Sequence, residues 1–98
     1  MYTLSKTTTK FAAARGLTLE VWNCENNTLL DVYDTGEDSE PMFSLLINHN
    51  GSFSWYSNIY LADHIKEELP AHYADELELR SMLCFLANEL NAANLKAA

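Results

Sequence analysis

Lysine and arginine are scarce in this chain, and none occurs between Leu17 and Ile65. Six basic residues stand against fourteen acids, for a formal net charge of −8. Proteins that bind nucleic acid directly do so through basic grooves with bases interleaved among aromatics. That composition argues against direct nucleic-acid binding. Glycine is almost as rare. Gly16, Gly36 and Gly51 are the only three, so there is no glycine-rich loop to cradle a phosphate. Two cysteines, Cys24 and Cys84, lie far apart and outside any CxxC spacing, and in a reducing compartment they are most simply free thiols. The longest apolar run, Met82 to Leu86, is far too short to span a bilayer. No apolar stretch comes after Met-Tyr-Thr-Leu-Ser-Lys as it would in a secretory signal. A cytoplasmic protein that meets no membrane is the expectation.

What the chain does have is core material and order in its charges. An apolar fraction of 48% over 98 residues suits one domain, 1–98. The first fifteen residues carry Lys6, Lys10 and Arg15 and no acid, while every carboxylate lies beyond them. A sorted, acidic surface attracts basic partners and repels acidic ones.

Periodicity changes four times along the chain. Ser5 reads as an N-cap, Ala12 to Ala14 favour helix and Gly16 sits where a C′ glycine would, so residues 5–15 are predicted helical. Thr7, Thr8 and Thr9 oppose that reading, because β-branched residues lose rotamer freedom in a helix, and Leu4, Lys6 and Thr8 would alternate equally well in a strand. From Leu17 the period is two, with Leu17, Leu19 and Val21 alternating against Thr18, Glu20 and Trp22. Cys24 to Asn27 reads as a turn and Leu29 to Tyr33 as the returning strand. Asp34 to Pro41 is a loop. Met42–Asn48 and Ser52–Tyr56 form a second hairpin. A two-residue Asn50-Gly51 turn would set His49 opposite Ser52, Leu46 opposite Trp55 and Leu45 opposite Tyr56. The glycosylation-like triplets Asn26-Asn27-Thr28 and Asn50-Gly51-Ser52 are read as these turns.

Leu61, Ala62, Ile65 and Leu69 then recur at helical spacing until Pro70, and a longer helix starts near Tyr73, with Leu79, Leu83, Leu86 and Leu90 on one stripe and Met82 and Phe85 widening it. The predicted fold is α+β: an antiparallel four-stranded sheet of two hairpins, with C-terminal helices packed on one face and a short N-terminal helix.

No catalytic or metal constellation emerges. Asp31, Asp34, Glu37, Asp38 and Glu40 lack the alternating spacing of a calcium loop, and His49, His64 and His72 are scattered over three segments. His64 and Glu68, four apart, supply two ligands where a site needs more. The serines sit in no nucleophile elbow, and Cys24 neighbours Glu25, which disfavours a thiolate. The expectation is a non-enzymatic protein without cofactor or metal.

Two features suggest contact surfaces. Trp22 and Tyr33 fall on the polar faces of their strands beside Glu20 and Asp31. Phe53, Trp55, Tyr56 and Tyr60 crowd the second hairpin and the start of the next helix, and outward aromatics make interface hot spots. Asp63, Glu67, Glu68, Asp75 and Glu78 form an acidic ridge on the helical layer, part of it explained by the preference of helix N-termini for negative charge. The sequence therefore predicts a protein-interaction module with a basic protein as partner, contacted through Trp22, Tyr33, Trp55, Asp63, Glu67, Glu68, Asp75 and Glu78. Self-association as a symmetric homodimer is a second use of such a surface or of the apolar middle of the last helix. One alternative is imitation of the phosphate array of DNA, about one charge per 1.7 Å of axis, to inhibit a nucleic-acid-binding protein. Small acidic anti-restriction and anti-CRISPR proteins encoded by phages and plasmids work in that way, a likeness of class without a shared motif. Another is a small-molecule pocket between sheet and helices lined by Phe43, Trp55 and Tyr60.

Overall fold

The computed structural model describes residues 4–36 and 40–97, with side chains as far as residue 92. The chain runs α1 (Lys6–Ala13), β1 (Leu17–Cys24), β2 (Asn27–Asp34), β3 (Phe43–Ile47), β4 (Phe53–Asn58), α2 (Asp63–Lys66), β5 (His72–Tyr73) and α3 (Glu76–Ala97). The sheet is an antiparallel meander in the order β1-β2-β3-β4-β5. It is α+β as predicted, with one strand more. All three helices contribute to one core on a single face of the sheet, where Leu17, Leu30, Val32, Phe43, Leu45 and Phe53 meet Ala12, Ile65, Leu79, Leu83 and Leu86.

Helix α1 forms despite its threonines, and one of them, Thr8, works as a polar link to α3. The Ser5 hydroxyl accepts from the Thr8 N–H at 3.2 Å, which is the expected N-cap. Thr8 is fully buried; its hydroxyl donates to Glu76 Oε1 at 2.6 Å and accepts from Arg80 Nη1 at 2.9 Å. Ser5 Oγ donates to the same Glu76 oxygen at 2.7 Å. The basic N-terminal segment is thus fastened to the start of α3 through charge-assisted bonds. Gly16, at φ +79°, stops α1 and turns the chain into β1.

The first hairpin closes over Glu25 and Asn26, with Cys24 opposite Asn27. The second departs from expectation. Its loop has three residues, His49, Asn50 and Gly51: the Asn48 N–H donates to the Ser52 carbonyl at 2.8 Å and the Gly51 N–H to the Asn48 carbonyl at 3.0 Å. Gly51, at φ +85°, supplies the left-handed residue such a loop requires, and Asn50 Oδ1 accepts from both the Ser52 N–H and its hydroxyl, at 3.1 and 2.6 Å. One extra loop residue slips the register, so Leu46 faces Ser54 and Leu45 faces Trp55. Tyr56 is then left over as a bulge, beyond which Ser44 pairs with Ser57.

After β4 the predicted helix over residues 61–69 shrinks to the single turn of α2, because Pro70 lies too close for a second turn to propagate. Leu61 and Ile65 are buried as their spacing implies. The chain then returns along β4, where the Trp55 N–H donates to the Ala71 carbonyl at 2.8 Å, and makes β5 where the sequence suggests the start of a helix. Helix α3 begins instead at Glu76. The Asp75 carboxylate accepts from the Glu78 N–H at 3.0 Å and Glu78 reaches back to the Ala74 N–H at 3.3 Å, a reciprocal cap in the manner of a capping box. The predicted stripe of α3 is buried at Leu79, Leu83 and Leu86 and half-buried at Leu90. Cys84 and Cys24 are half-buried free thiols.

Candidate functional site

The outer face of the sheet, opposite the helices, is set by strand alternation and pairing. Its first row is Thr18 and Tyr33, its second Glu20, Asp31, Ser44 and Ser57, and its third Trp22, Leu29, Leu46, Ser54 and His72. The third row ends in a contact of 3.3 Å between Ser54 Oγ and His72 Nδ1.

Asp31 sits at the centre. An acid on the solvent side of a strand is ordinarily hydrated, yet Asp31 is only 7% exposed. Its two carboxylate oxygens are engaged separately: the Trp22 indole N–H donates to Oδ2 at 2.8 Å and the Ser44 hydroxyl to Oδ1 at 2.6 Å. Such bonds to a carboxylate are about twice as strong as neutral ones, and they offset the cost of burying the acid. The geometry also fixes the indole. Trp22 bridges from β1 to β2 while 40% of its surface stays open. In the neighbouring row Leu29, between Trp22 and Leu46, is 3% exposed although it lies outside the main core cluster. Its shelter therefore comes from side chains of the outer face itself.

Tyr33 completes the surface, half-buried beside Thr18. Desolvation first, and then the Glu20 and Asp31 carboxylates, push its phenol pKa upward. A face whose aromatics lie among acids favours a cation over an anion. Beyond Leu46 the turn ends of the two hairpins border a cleft of about 550 Å³, lined by Asn26, Asn27, Thr28, Asn48 and His49 among others. The Asn48 amide there is already donated to Ser52 and Ser54, at 3.0 Å each.

The eight residues singled out from the sequence do not form one site. Trp22 and Tyr33 share the outer face, as alternation requires. Trp55 lies on the helix side of the sheet, because the register slip pairs it with Leu45; its ring stacks on Phe43 with centroids 4.9 Å apart, and the Lys66 ammonium stands 5.6 Å from its centre. Of the three residues assigned to a small-molecule pocket, Phe43 and Trp55 stack on each other and Tyr60 is exposed. Asp63 and Glu67 are exposed at the two ends of α2, and Asp75 and Glu78 make the cap of α3. Glu68 and Glu78 meet again at a groove beside α3. In the acidic loop, Asp34 accepts from the Gly36 N–H at 3.1 Å, and Glu37 and Asp38 lie outside the described residues.

Sequence reasoning missed Asp31 as the organiser of the outer face. Its only signal was an acid directly across the strand pair from Glu20 and diagonal to a tryptophan, a pairing visible once register is known. Among the described residues no group of three or more His, Cys, Asp or Glu is placed to hold a metal ion. Nor is any described helix long and apolar enough to cross a membrane. Comparison with known proteins finds no matching family model, no matching curated protein and no matching solved structure, so function has to be argued from this chain's own residues.

Proposed function

We propose that the protein is a non-enzymatic interaction module that docks the outer face of its sheet on a basic protein. The observation that carries this reading is Trp22, held open to solvent by a buried carboxylate. Exposed tryptophans are rare on surfaces that meet only water, and they are the commonest anchors of protein interfaces. A side chain already fixed in one rotamer loses less entropy on binding, so the Asp31 bond prepares Trp22 for contact. Glu20 and Tyr33 beside it supply the charge and the polar tip that select a cationic partner. Asp31 accepts from both Trp22 and Ser44 and so orients the surface.

Trp22→Ala is a poor test, since it would also uncover Leu29 and leave Asp31 short of a donor. Glu20→Lys is better: Glu20 is exposed and lies on the face without supporting the fold. The experiment immobilises the full chain and its Glu20→Lys variant as bait in an extract of the source cells, at about 0.05 and 0.5 M salt, across which the Debye length falls about threefold. A basic protein retained at low salt by the parent chain and lost both at high salt and with Glu20→Lys is the expected result. Retention indifferent to the reversal and to salt would refute the proposal.

A further inference from the structure

A second surface lies on the opposite side of the sheet, where the segment joining α2 to β5 runs beside the middle of α3. Between them is a groove of about 300 Å³, mainly apolar, lined by Leu69, Tyr73, Met82 and Phe85, with Glu68 contributed by the connecting segment and Glu78 by the helix. We propose that this groove receives a short basic segment of a partner protein, anchored by one large apolar side chain with lysine or arginine next to it.

Three observations carry the assignment. The volume is at the lower limit of small-ligand pockets, about 300–1,000 Å³, and fits one or two large side chains rather than a cofactor. Its two walls each bring an exposed carboxylate to an apolar floor, and that arrangement complements an apolar anchor flanked by cations. Tyr73, 1% exposed, lines the groove and has a hydroxyl without a hydrogen-bond partner among the described residues, an unsatisfied polar group in the wall of an otherwise apolar cleft. The same charges disfavour a second copy of this chain, which carries a net −8. Its one basic stretch, around α1, is already fastened to α3 through Thr8.

The test is a ¹H–¹⁵N NMR titration of the full chain with two synthetic peptides, acetyl-Lys-Phe-Lys-amide and acetyl-Glu-Phe-Glu-amide. The basic peptide should produce saturable shifts at the amides of Leu69, Tyr73, Met82 and Phe85, and the acidic peptide none. Glu68→Lys, at an exposed site, should weaken the basic peptide up to about fivefold, the upper range for a single exposed charge pair. Equal binding of both peptides would overturn the proposal, as would shifts centred on Trp22 or no saturable shift by about 10 mM, a concentration at which even binding of about −3 kcal/mol registers. Shifts of the groove amides with protein concentration alone would assign the groove to self-association instead. Because it reads different amides from the Trp22 face, the titration decides this proposal whatever becomes of the first.

Discussion

Removing a single oxygen should make this protein more stable. The Tyr73 hydroxyl is buried and unpartnered among the described residues, and burial pushes its pKa well above the usual value for tyrosine. A buried polar group without a partner costs about 1–3 kcal/mol. Tyr73→Phe keeps the ring against α3 and deletes only that group. The gap left by one oxygen returns a few tenths of a kcal/mol, so the net gain is about 1 kcal/mol near neutral pH. For a domain of this size that raises Tm by about 4–8 °C. The alkaline limb is the sharper readout. In the fold the neutral phenol is favoured, so its contribution is intact below the unfolded value near 10 and is lost as pH rises above it, where the unfolded chain ionises first. The parent should therefore lose stability relative to Tyr73→Phe by up to about 1.4 kcal/mol per pH unit above pH 10. Urea unfolding of both proteins at pH 7, 9, 10 and 11 measures this difference, and the remaining tyrosines cancel in it. A variant less stable than the parent at pH 7 would refute the reasoning by showing that the hydroxyl has a partner, and a difference that stays flat through pH 11 would refute it by showing that the phenol is not desolvated.

Thr8→Val keeps the shape of a fully buried residue and removes the hydroxyl that links Glu76 to Arg80; chemical denaturation should show a loss of about 2 kcal/mol, as for other bonds to charged groups. Glu25 is the one described non-glycine residue at positive φ, +56°. Glu25→Gly relieves a strain of about 1–2 kcal/mol and gives part of it back in unfolded-chain entropy, so thermal melting should show a net gain of about 0.5–1 kcal/mol.

Most of the architecture is legible because it rests on local rules. Ser5 and Gly16 bracket α1 as cap residues, strict alternation sets β1 and β2, and the leucine stripe orients α3. The failures share one cause: each depended on a contact distant in sequence or on one residue of loop length. Two residues cannot display a period, so β5 exists only because Pro70 ends α2 and turns the chain back along β4. Asn50-Gly51 is compatible with a two-residue and a three-residue loop alike, and the choice moves Trp55 from one partner to another. A tryptophan assigned to a contact surface thereby ends stacked on Phe43.

Charge is where sequence and structure diverge most usefully. Counted along the chain, the acids form a ridge; in space they have separate employments. Asp75 and Glu78 close the N-terminus of α3, and Glu76 ties down α1, so these acids would be present whether or not a partner exists. Asp31, hidden within an outward strand, orients a tryptophan. Glu20 and Glu68 are different, since each is exposed beside apolar surface and neither is needed to hold an element in place. Net charge alone attracts a basic partner to the whole molecule and steers its approach over a Debye length of about 8 Å at physiological salt. Only a carboxylate beside a fixed apolar contact can say where that partner stops. If Glu20→Lys and Glu68→Lys were to weaken association no more than reversal of Asp63, an exposed acid of α2, the negative charge would be acting as a diffuse field and neither surface would be a docking site.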